Sequence, residues 1–380
     1  MRIAVPTEPD PSETRVAATP ETVKKYLGLG AEVAVQAGAG MKSGITDADY
    51  QAAGATITPD ANATLSGADI VLRVRRPGGS EVEGAKPGAA VIAIMDPYDN
   101  EDAVADIGRR GVTAFAMELM PRITRAQVMD VLSSQANLAG YRAVIDGAAE
   151  YGRAIPMMMT AAGTIPAARI FIMGVGVAGL QAIATARRLG AVVTATDVRP
   201  AAKEQVESLG AKFLAVEDEE FKQAQTAGGY AKQMSAEYMA KQQALTASHI
   251  AKQDIVITTA LIPGRPAPRL ITADMIRTMR PGSVIVDLAV ERGGNVETAR
   301  PGETVVSENG VRILGQLNLP GRLPASASAL YAKNLLAFVE TLIDKDTKSL
   351  AIKWDDELVK ATALTREGQL INPIFQKQAA

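Results

Sequence analysis

Short apolar runs alternate with longer amphipathic stretches along most of this chain. Arg2–Val5, Glu32–Gln36, Asp69–Val74, Ala90–Met95 and Thr113–Ala116 are brief, rich in aliphatic side chains, and read as strands. Helical patterns lie between them. One follows Thr19-Pro20, an N-cap residue with proline at the first helical position. Another starts at Thr46, with Asp49 at capping-box spacing. From Arg125 to about Tyr151 the pattern becomes one long helix, with Val128, Val131, Leu132, Leu138 and Val144 on its apolar side. A second alternating region runs from Ala168 to about Leu314, with strands at Arg169–Met173, Ala191–Thr196, Asp254–Thr258, Ser283–Asp287 and Val311–Leu314. A further helix, roughly Ala327–Ile343, follows the loop Asn318–Pro324. Strands alternating with helices predict parallel sheets covered on both faces.

Within the second region, the strand Arg169–Met173 runs into Gly174-Val175-Gly176-Val177-Ala178-Gly179 and then a helical pattern through Leu180, Ile183 and Leu189. The next strand ends in Asp197, eighteen residues after the last glycine. This is the strand, glycine turn, helix, strand and acid of a dinucleotide fold. Gly174 permits a tight turn, Gly176 lets backbone approach a pyrophosphate, and Gly179 lets helix and strand pack closely. The helix N-terminus offers free N–H groups to the phosphates. Asp197 is expected to accept hydrogen bonds from an adenosine ribose and to disfavour a 2′-phosphate, although Arg199 nearby weakens that choice. The expected fold class is therefore α/β: two Rossmann-like doubly wound parallel-sheet domains with a cleft between them. Residues 1–125 plus 327–380 would form the first domain and 126–326 the second, linked by long helices at about 125–150 and 327–343. The tail from Lys348 is too short for a core of its own and is expected to return to the first domain.

Composition narrows the function. With 380 residues, 47% hydrophobic, 22% charged and a net charge of −2, the chain reads as a globular protein of two domains with no affinity for nucleic acid or acidic membrane. No apolar run approaches the ~18 residues of a membrane span, and Met1–Pro6 lacks a signal peptide's apolar stretch. The absence of cysteine excludes disulfides and thiolate zinc sites, and His249 is the sole histidine, so no metal site is expected. A cytoplasmic enzyme or binding protein fits.

Candidate chemistry lies at three places. Arg122, Gln127, Asp130 and Ser133 fall in Met120–Gln135, the last three at three-residue spacing on one helical face. Thr124-x-x-Gln127 is also a capping box, and Asp130 suits an N-terminal turn on dipole grounds, so a helix cap explains the same residues. Val256–Gly264 is a strand running into a Pro/Gly turn, which would put Ala260 and Leu261 beside a bound nucleotide. Between Glu217 and Gln253 a polar insertion holds Gly228-Gly229-Tyr230, which reads either as a closing flap or as a solvated helix. No group reads as a proton acceptor. Oxidising an alcohol or amine needs one, whereas hydride transfer between two nicotinamides needs only rings held in contact.

These segments resemble the NAD(H)-binding component, domain I, of proton-translocating nicotinamide nucleotide transhydrogenase. The similarity is dense at Ala116–Arg122, Leu132–Gln135, Asn137–Val144, Met157–Gly163, Gly174–Ala184, Ala227–Lys232, Thr258–Gly264 and Pro281–Glu291, and covers essentially the whole chain. The resemblance implies that Arg122, Asp130 and Ser133 hold the nicotinamide end of NAD(H), and that Gln127 aligns it with the partner's nucleotide. It places Val175, Val177, Asp197, Val198 and Arg199 around pyrophosphate and adenosine, Gly229 and Tyr230 on a mobile loop, and Leu261 at the strand-end contact. It further implies NADP(H) on a partner component, a membrane-spanning proton-channel subunit, a homodimer, and a separate soluble subunit attached peripherally to the inner membrane through its partners. Alanine dehydrogenase is the related alternative and shares Glu8, Arg15 and the residues through Pro20. Its catalytic lysine falls at Arg75, which cannot act as a base, and its histidine falls near Asp96. A NAD-binding module without chemistry would have no reason for the Arg-Gln-Asp loop.

Overall fold

The computed structural model describes residues 1–224, 234–262 and 264–376. The chain divides into two compact units, Met1–Gln135 with Pro320–Ala380, and Ala136–Leu319. In the first, strands β1 (Arg2–Val5), β2 (Glu32–Gln36), β3 (Thr56–Thr58), β4 (Ile70–Arg75), β5 (Ala90–Ile94) and β6 (Thr113–Ala116) form one parallel sheet in the order β3-β2-β1-β4-β5-β6. Alternate residues point to opposite faces, and both faces are buried. Ile3, Val5, Ile70, Leu72, Val74, Ile92 and Phe115 fill one core; Ala4, Val71, Val91, Ala93 and Ala114 fill the other. Helix Pro324–Thr341 packs on the first face, where Phe338 meets Phe115 edge to face at 5.5 Å. The Tyr331 hydroxyl donates to the Arg73 carbonyl at 2.8 Å. The tail returns to this unit: the Leu364 N–H donates to the Ala114 carbonyl at 2.8 Å. Both capping signals operate, Thr19 with Thr22 and Thr46 with Asp49 each closing reciprocal bonds.

The second unit opens with a hairpin, β7 (Met158–Thr160) and β8 (Gly163–Ile165), every residue of which is exposed. Its sheet comprises β9 (Arg169–Met173), β10 (Val192–Thr196), β11 (Lys212–Phe213), β12 (Ile255–Thr258), β13 (Val284–Asp287), β14 (Thr304–Val306) and β15 (Arg312–Leu314). The order is β11-β10-β9-β12-β13-β15-β14, parallel except for the edge strand β14. The short strands β3, β11 and β14 escaped the sequence pattern because they are sheet-edge segments with mostly polar or half-exposed residues.

One expected element is different. The long helix does not begin at Arg125: Thr124–Met129 is a 3₁₀ helix, Asp130 interrupts it, and the α-helix runs Val131–Glu150. A 3₁₀ turn advances more per residue than an α turn, so the apolar stripe does not carry through. Val128 and Leu132, expected on the buried side, are 64% and 50% exposed, whereas Val131 and Val144 are fully buried. Helix Pro324–Thr341 lies wholly in the first unit; the chain passes between units at 135/136 and 319/320.

Gly140 explains how two helices of the second unit pack. A Cβ there would stand 2.0 Å from the carbonyl oxygen of Ala178 on helix Val177–Arg188, a backbone atom that cannot move aside. Gly140→Ala is therefore expected to destabilise the fold by about 1–3 kcal/mol through overpacking. Gly152→Ala, where an added Cβ meets nothing, is the control, and equal melting temperatures for the two variants would refute the packing argument.

Candidate dinucleotide site

The glycine turn of the second unit has the geometry its sequence requires. Gly174 has φ +103°, a conformation that side chains rarely adopt. A Cβ on Gly179 would lie 1.9 Å from the Gly174 carbonyl oxygen, so only glycine lets the helix start this close to β9. A Cβ on Gly176 would meet nothing. Gly176 caps helix Val177–Arg188 without a side-chain acceptor, which leaves first-turn N–H groups for an anion. The turn stands between β9 and β12, where strand order reverses, the place where nucleotides bind in such sheets. Thr259 closes the other side by donating Oγ1–H to the Gly174 carbonyl at 3.0 Å. The Ala260 N–H donates to Asn295 Oδ1 at 3.0 Å, and Asn295 Nδ2 returns a bond to the Ala260 carbonyl at 2.9 Å. Val177, Val198 and Leu261 are 39%, 45% and 51% exposed, while Val175 is buried. These residues fit a dinucleotide: a tight turn, a bare helix start, an acid and apolar surface near the switch point.

Asp197 is more heavily engaged than its sequence position suggests. Oδ2 accepts the Val175 N–H at 2.8 Å and Arg199 Nη2 at 3.0 Å; Oδ1 accepts the Arg199 N–H and Nε, each at 2.9 Å. Arg199 Nη2 also donates to the Val175 carbonyl at 3.0 Å. Val175, Asp197 and Arg199 are thus brought together as one cluster.

In the first unit, Arg122 and Gln127 are exposed and Asp130 and Ser133 half-buried. Asp130 Oδ1 accepts the Ser133 N–H at 2.8 Å and Oδ2 accepts the Ser133 hydroxyl at 2.5 Å, a cap on helix Val131–Glu150. The Thr124–Gln127 capping box does not form: Ile123 stands at the N-cap, with no side-chain bond. Gln127 has no hydrogen-bond partner among the described residues and projects from a 3₁₀ turn pinned by buried Ala126 and Met129. Asn334, which sequence reasoning missed, clamps this turn from below. Its Nδ2 donates to the Val128 carbonyl and its Oδ1 accepts the Ser134 hydroxyl, both at 2.7 Å.

The strand ends of this unit carry buried charge. Glu13, with its side chain fully buried, takes Arg15 Nη2 at 2.7 Å and Arg75 Nε at 2.8 Å. Burial opposes its ionisation, but these two guanidiniums hold its pKa down to about 2. Arg15 also donates to Gln135 at 2.9 Å. Glu8 accepts the Val74 N–H at 2.7 Å and the Arg75 N–H at 3.3 Å, and burial pushes its pKa up. Arg75 is therefore an ion-pair partner and not a titratable base, and Asp96 adopts a positive φ of 47°.

Gly228, Gly229, Tyr230 and Pro263 lie outside the described residues. His249, grouped with the flap by sequence, sits instead on the helix Ala236–Ile250, its Nε2 2.8 Å from Thr194 Oγ1 and its ring edge-on to Phe171 at 4.8 Å. Burial lowers its pKa, reinforced by Lys252, Lys212 and Arg169. Folding thus favours the neutral ring, so the unfolded chain protonates first as pH drops. Stability is lost as pH falls from the free-imidazole value of about 6.5 through the folded value. Denaturant titrations of wild type and His249→Gln on either side of that value are expected to show a shallower decline in the variant; parallel declines would exclude this role.

Comparison with known proteins follows the same lines. Residues 4–139 match the family described as alanine dehydrogenase/PNT, N-terminal domain, and residues 143–373 its C-terminal domain. A chain of NAD(P) transhydrogenase subunit alpha from Rhodospirillum rubrum is 57% identical over 385 residues, with 100% of both chains covered. The crystal structure of transhydrogenase from Sinorhizobium meliloti matches with a TM-score of 0.89 at 61% identity, over 98% of this chain and 100% of that one. An L-alanine dehydrogenase structure matches with a TM-score of 0.82 at 27% identity, over 99% and 98%. The chain belongs to the alanine dehydrogenase/PNT family, through both of that family's domains.

Proposed function

We propose that this chain is the NAD(H)-binding subunit of a proton-translocating transhydrogenase, an NAD(P)⁺ transhydrogenase active only with its partner subunits. The observation that carries this reading over amino-acid oxidation is Arg75, held on Glu13 at a strand end where the related dehydrogenase is expected to use a lysine. An arginine so paired keeps its proton, and the sole histidine is packed against β9 and β10. When bound, NADH supplies a hydride. The chain's own task is then binding, orientation and exclusion of water, not proton abstraction.

In this reading the glycine turn and the helix start after Gly176 receive the pyrophosphate, and Asp197, Val198 and Arg199 meet the adenosine. Ala260 and Leu261 border the nucleotide, with Gly229 and Tyr230 assigned to the same task from sequence. Arg122, Asp130 and Ser133 hold the nicotinamide end. Gln127 aligns it with NADP(H) on the partner component; its exposed, unbonded side chain on an anchored turn supports that role. Among the described residues no helix is long and apolar enough to cross a membrane. Proton conduction therefore belongs to a membrane-spanning partner, to which this chain attaches peripherally at the cytoplasmic side. A homodimer is supported by the hairpin β7–β8: Met157, Met158, Met159 and Ile165 are 62%, 44%, 78% and 40% exposed, and an isolated two-stranded hairpin is marginal in water.

Gln127→Asn shortens the side chain by one methylene. It is expected to slow hydride exchange by roughly 10- to 100-fold through misalignment, with NADH affinity and melting temperature unchanged. A parallel loss of stability and binding would assign Gln127 a structural role instead. The isolated chain is expected to show no turnover of L-alanine, or of pyruvate with ammonia, and to support hydride exchange only when an NADP-binding transhydrogenase component is added. Partner-independent alanine oxidation abolished by Arg75→Ala would place the chain in the other branch of the family.

A further inference from the structure

The contact between Asp197 and Arg199 does something that nucleotide recognition alone does not require. The Asp197 side chain is only 8% exposed, and its carboxylate receives four donors. A carboxylate offers about four lone-pair sites, so all are filled. Two donors are backbone N–H groups, of Val175 and Arg199 itself, and depend on the course of the chain. The other two are Nε and Nη2 of one guanidinium, one on each oxygen. Two parallel donors, one per carboxylate oxygen, form the pattern that the 2′ and 3′ hydroxyls of a ribose would present to the same acid. The guanidinium is further tied to the Val175 carbonyl, at the glycine turn.

We propose that Arg199 is a built-in competitor for the ribose position: its guanidinium covers Asp197 and must swing away before a vicinal diol can take its place. This rests on reading the turn after β9 as the NAD(H) site. The motion is available, because the Arg199 side chain is 33% exposed and its side-chain bonds to the cluster come from the end of a flexible stem. The backbone donors stay behind and keep the carboxylate aimed, so the acid is preorganised while its cover is mobile. The cover also has a chemical consequence. While Arg199 is in place, Asp197 is neutralised and offers no acceptor. Once displaced, the acid is bare, and only then does it repel a 2′-phosphate. The exchange thereby links admission of the diol to discrimination against NADP(H).

The test is a binding titration that needs no turnover, using the full chain and its Arg199→Ala and Arg199→Met variants. Both retain the backbone donors to Asp197, and Met retains a long stem for packing; melting temperatures confirm that each is folded. The variants are expected to bind NADH about 3- to 10-fold more tightly than wild type, the range for losing a competing, partly exposed ion pair. High salt should narrow that ratio by screening the pair. ADP and 2′,3′-dideoxy-ADP separate displacement from simple unblocking. Because a ligand without the diol has no need of Asp197, the variants should gain affinity for ADP and little for its dideoxy analogue. Equal or weaker NADH binding by both variants, with wild type still binding, would overturn the cover and make Arg199 a direct contact. Equal gains for both diphosphates would also overturn it. Failure of wild type and variants alike to bind NADH would remove the nucleotide reading itself.

Discussion

The approach of Gly179 to the carbonyl of Gly174, so close that one methyl group would stand 1.9 Å from the oxygen, governs the nucleotide end of the second unit. It seats helix Val177–Arg188 against the end of β9, so its unbonded N–H groups face the space beyond the strands. It also makes the turn a rigid object that neighbours can grip. Asp197 holds the Val175 N–H from the β10 side, and Thr259 holds the Gly174 carbonyl from the β12 side. Asn295 in turn fixes Ala260 through a two-way amide pair. Each clamp satisfies a backbone group that would otherwise be buried without a partner, which is why short polar residues stand at strand ends. The result is a site whose backbone is preorganised and whose adjustable part is a single arginine.

The first unit repeats the same strand order with a different outcome. After β1 the sequence is Pro6-Thr7-Glu8-Pro9, with no glycine turn. Glu8 reaches back to accept the N–H groups of Val74 and Arg75 on β4. Those strands flank the reversal of order in this sheet, the position that a nucleotide would occupy in a doubly wound fold. A carboxylate of the chain itself takes the donors there. Topology alone would nominate both sheets as nucleotide sites, and local chemistry leaves one. Function follows the site and not the fold.

Periodicity revealed most of this architecture because both sheets are buried on two faces, and such strands read as near-continuous apolar runs. Edge strands β3, β11 and β14 lack that signal. The helix expected from Arg125 failed for a physical reason as well: polar residues at three-residue spacing suit a 3₁₀ turn as well as an α-helix, and only the Asp130–Ser133 cap decides where the α-helix starts. Arg122, Gln127, Asp130, Val175, Asp197 and Arg199 were legible because they belong to local patterns. Asn334 and Asn295 were not. Asn334 lies 206 residues from the carbonyl it anchors, and Asn295 lies 35 from its partner, separations across which a single sequence carries no pairing information. The Asp197–Arg199 fork could have been suspected from an Asp-x-Arg spacing, but its use of all four acceptor sites is a matter of geometry.

The family unites two chemistries on one fold, and the residues here show how small the difference need be. An amino-acid dehydrogenase must take a proton from nitrogen or oxygen as hydride leaves, so a titratable group at the strand ends is indispensable. Replacing it by an arginine held on a buried glutamate removes that function while leaving the sheet intact, because the ion pair Arg75–Glu13–Arg15 satisfies its own charges. What remains must work by placement. Placement demands a surface group that is free at its tip and fixed at its base, and the Gln127 turn meets both demands: its side chain is unbonded, while Ala126, Met129 and Asn334 immobilise the backbone beneath it. A side chain so mounted spends little conformational freedom in aligning two rings, which is the one contribution that hydride exchange between nucleotides asks of the protein.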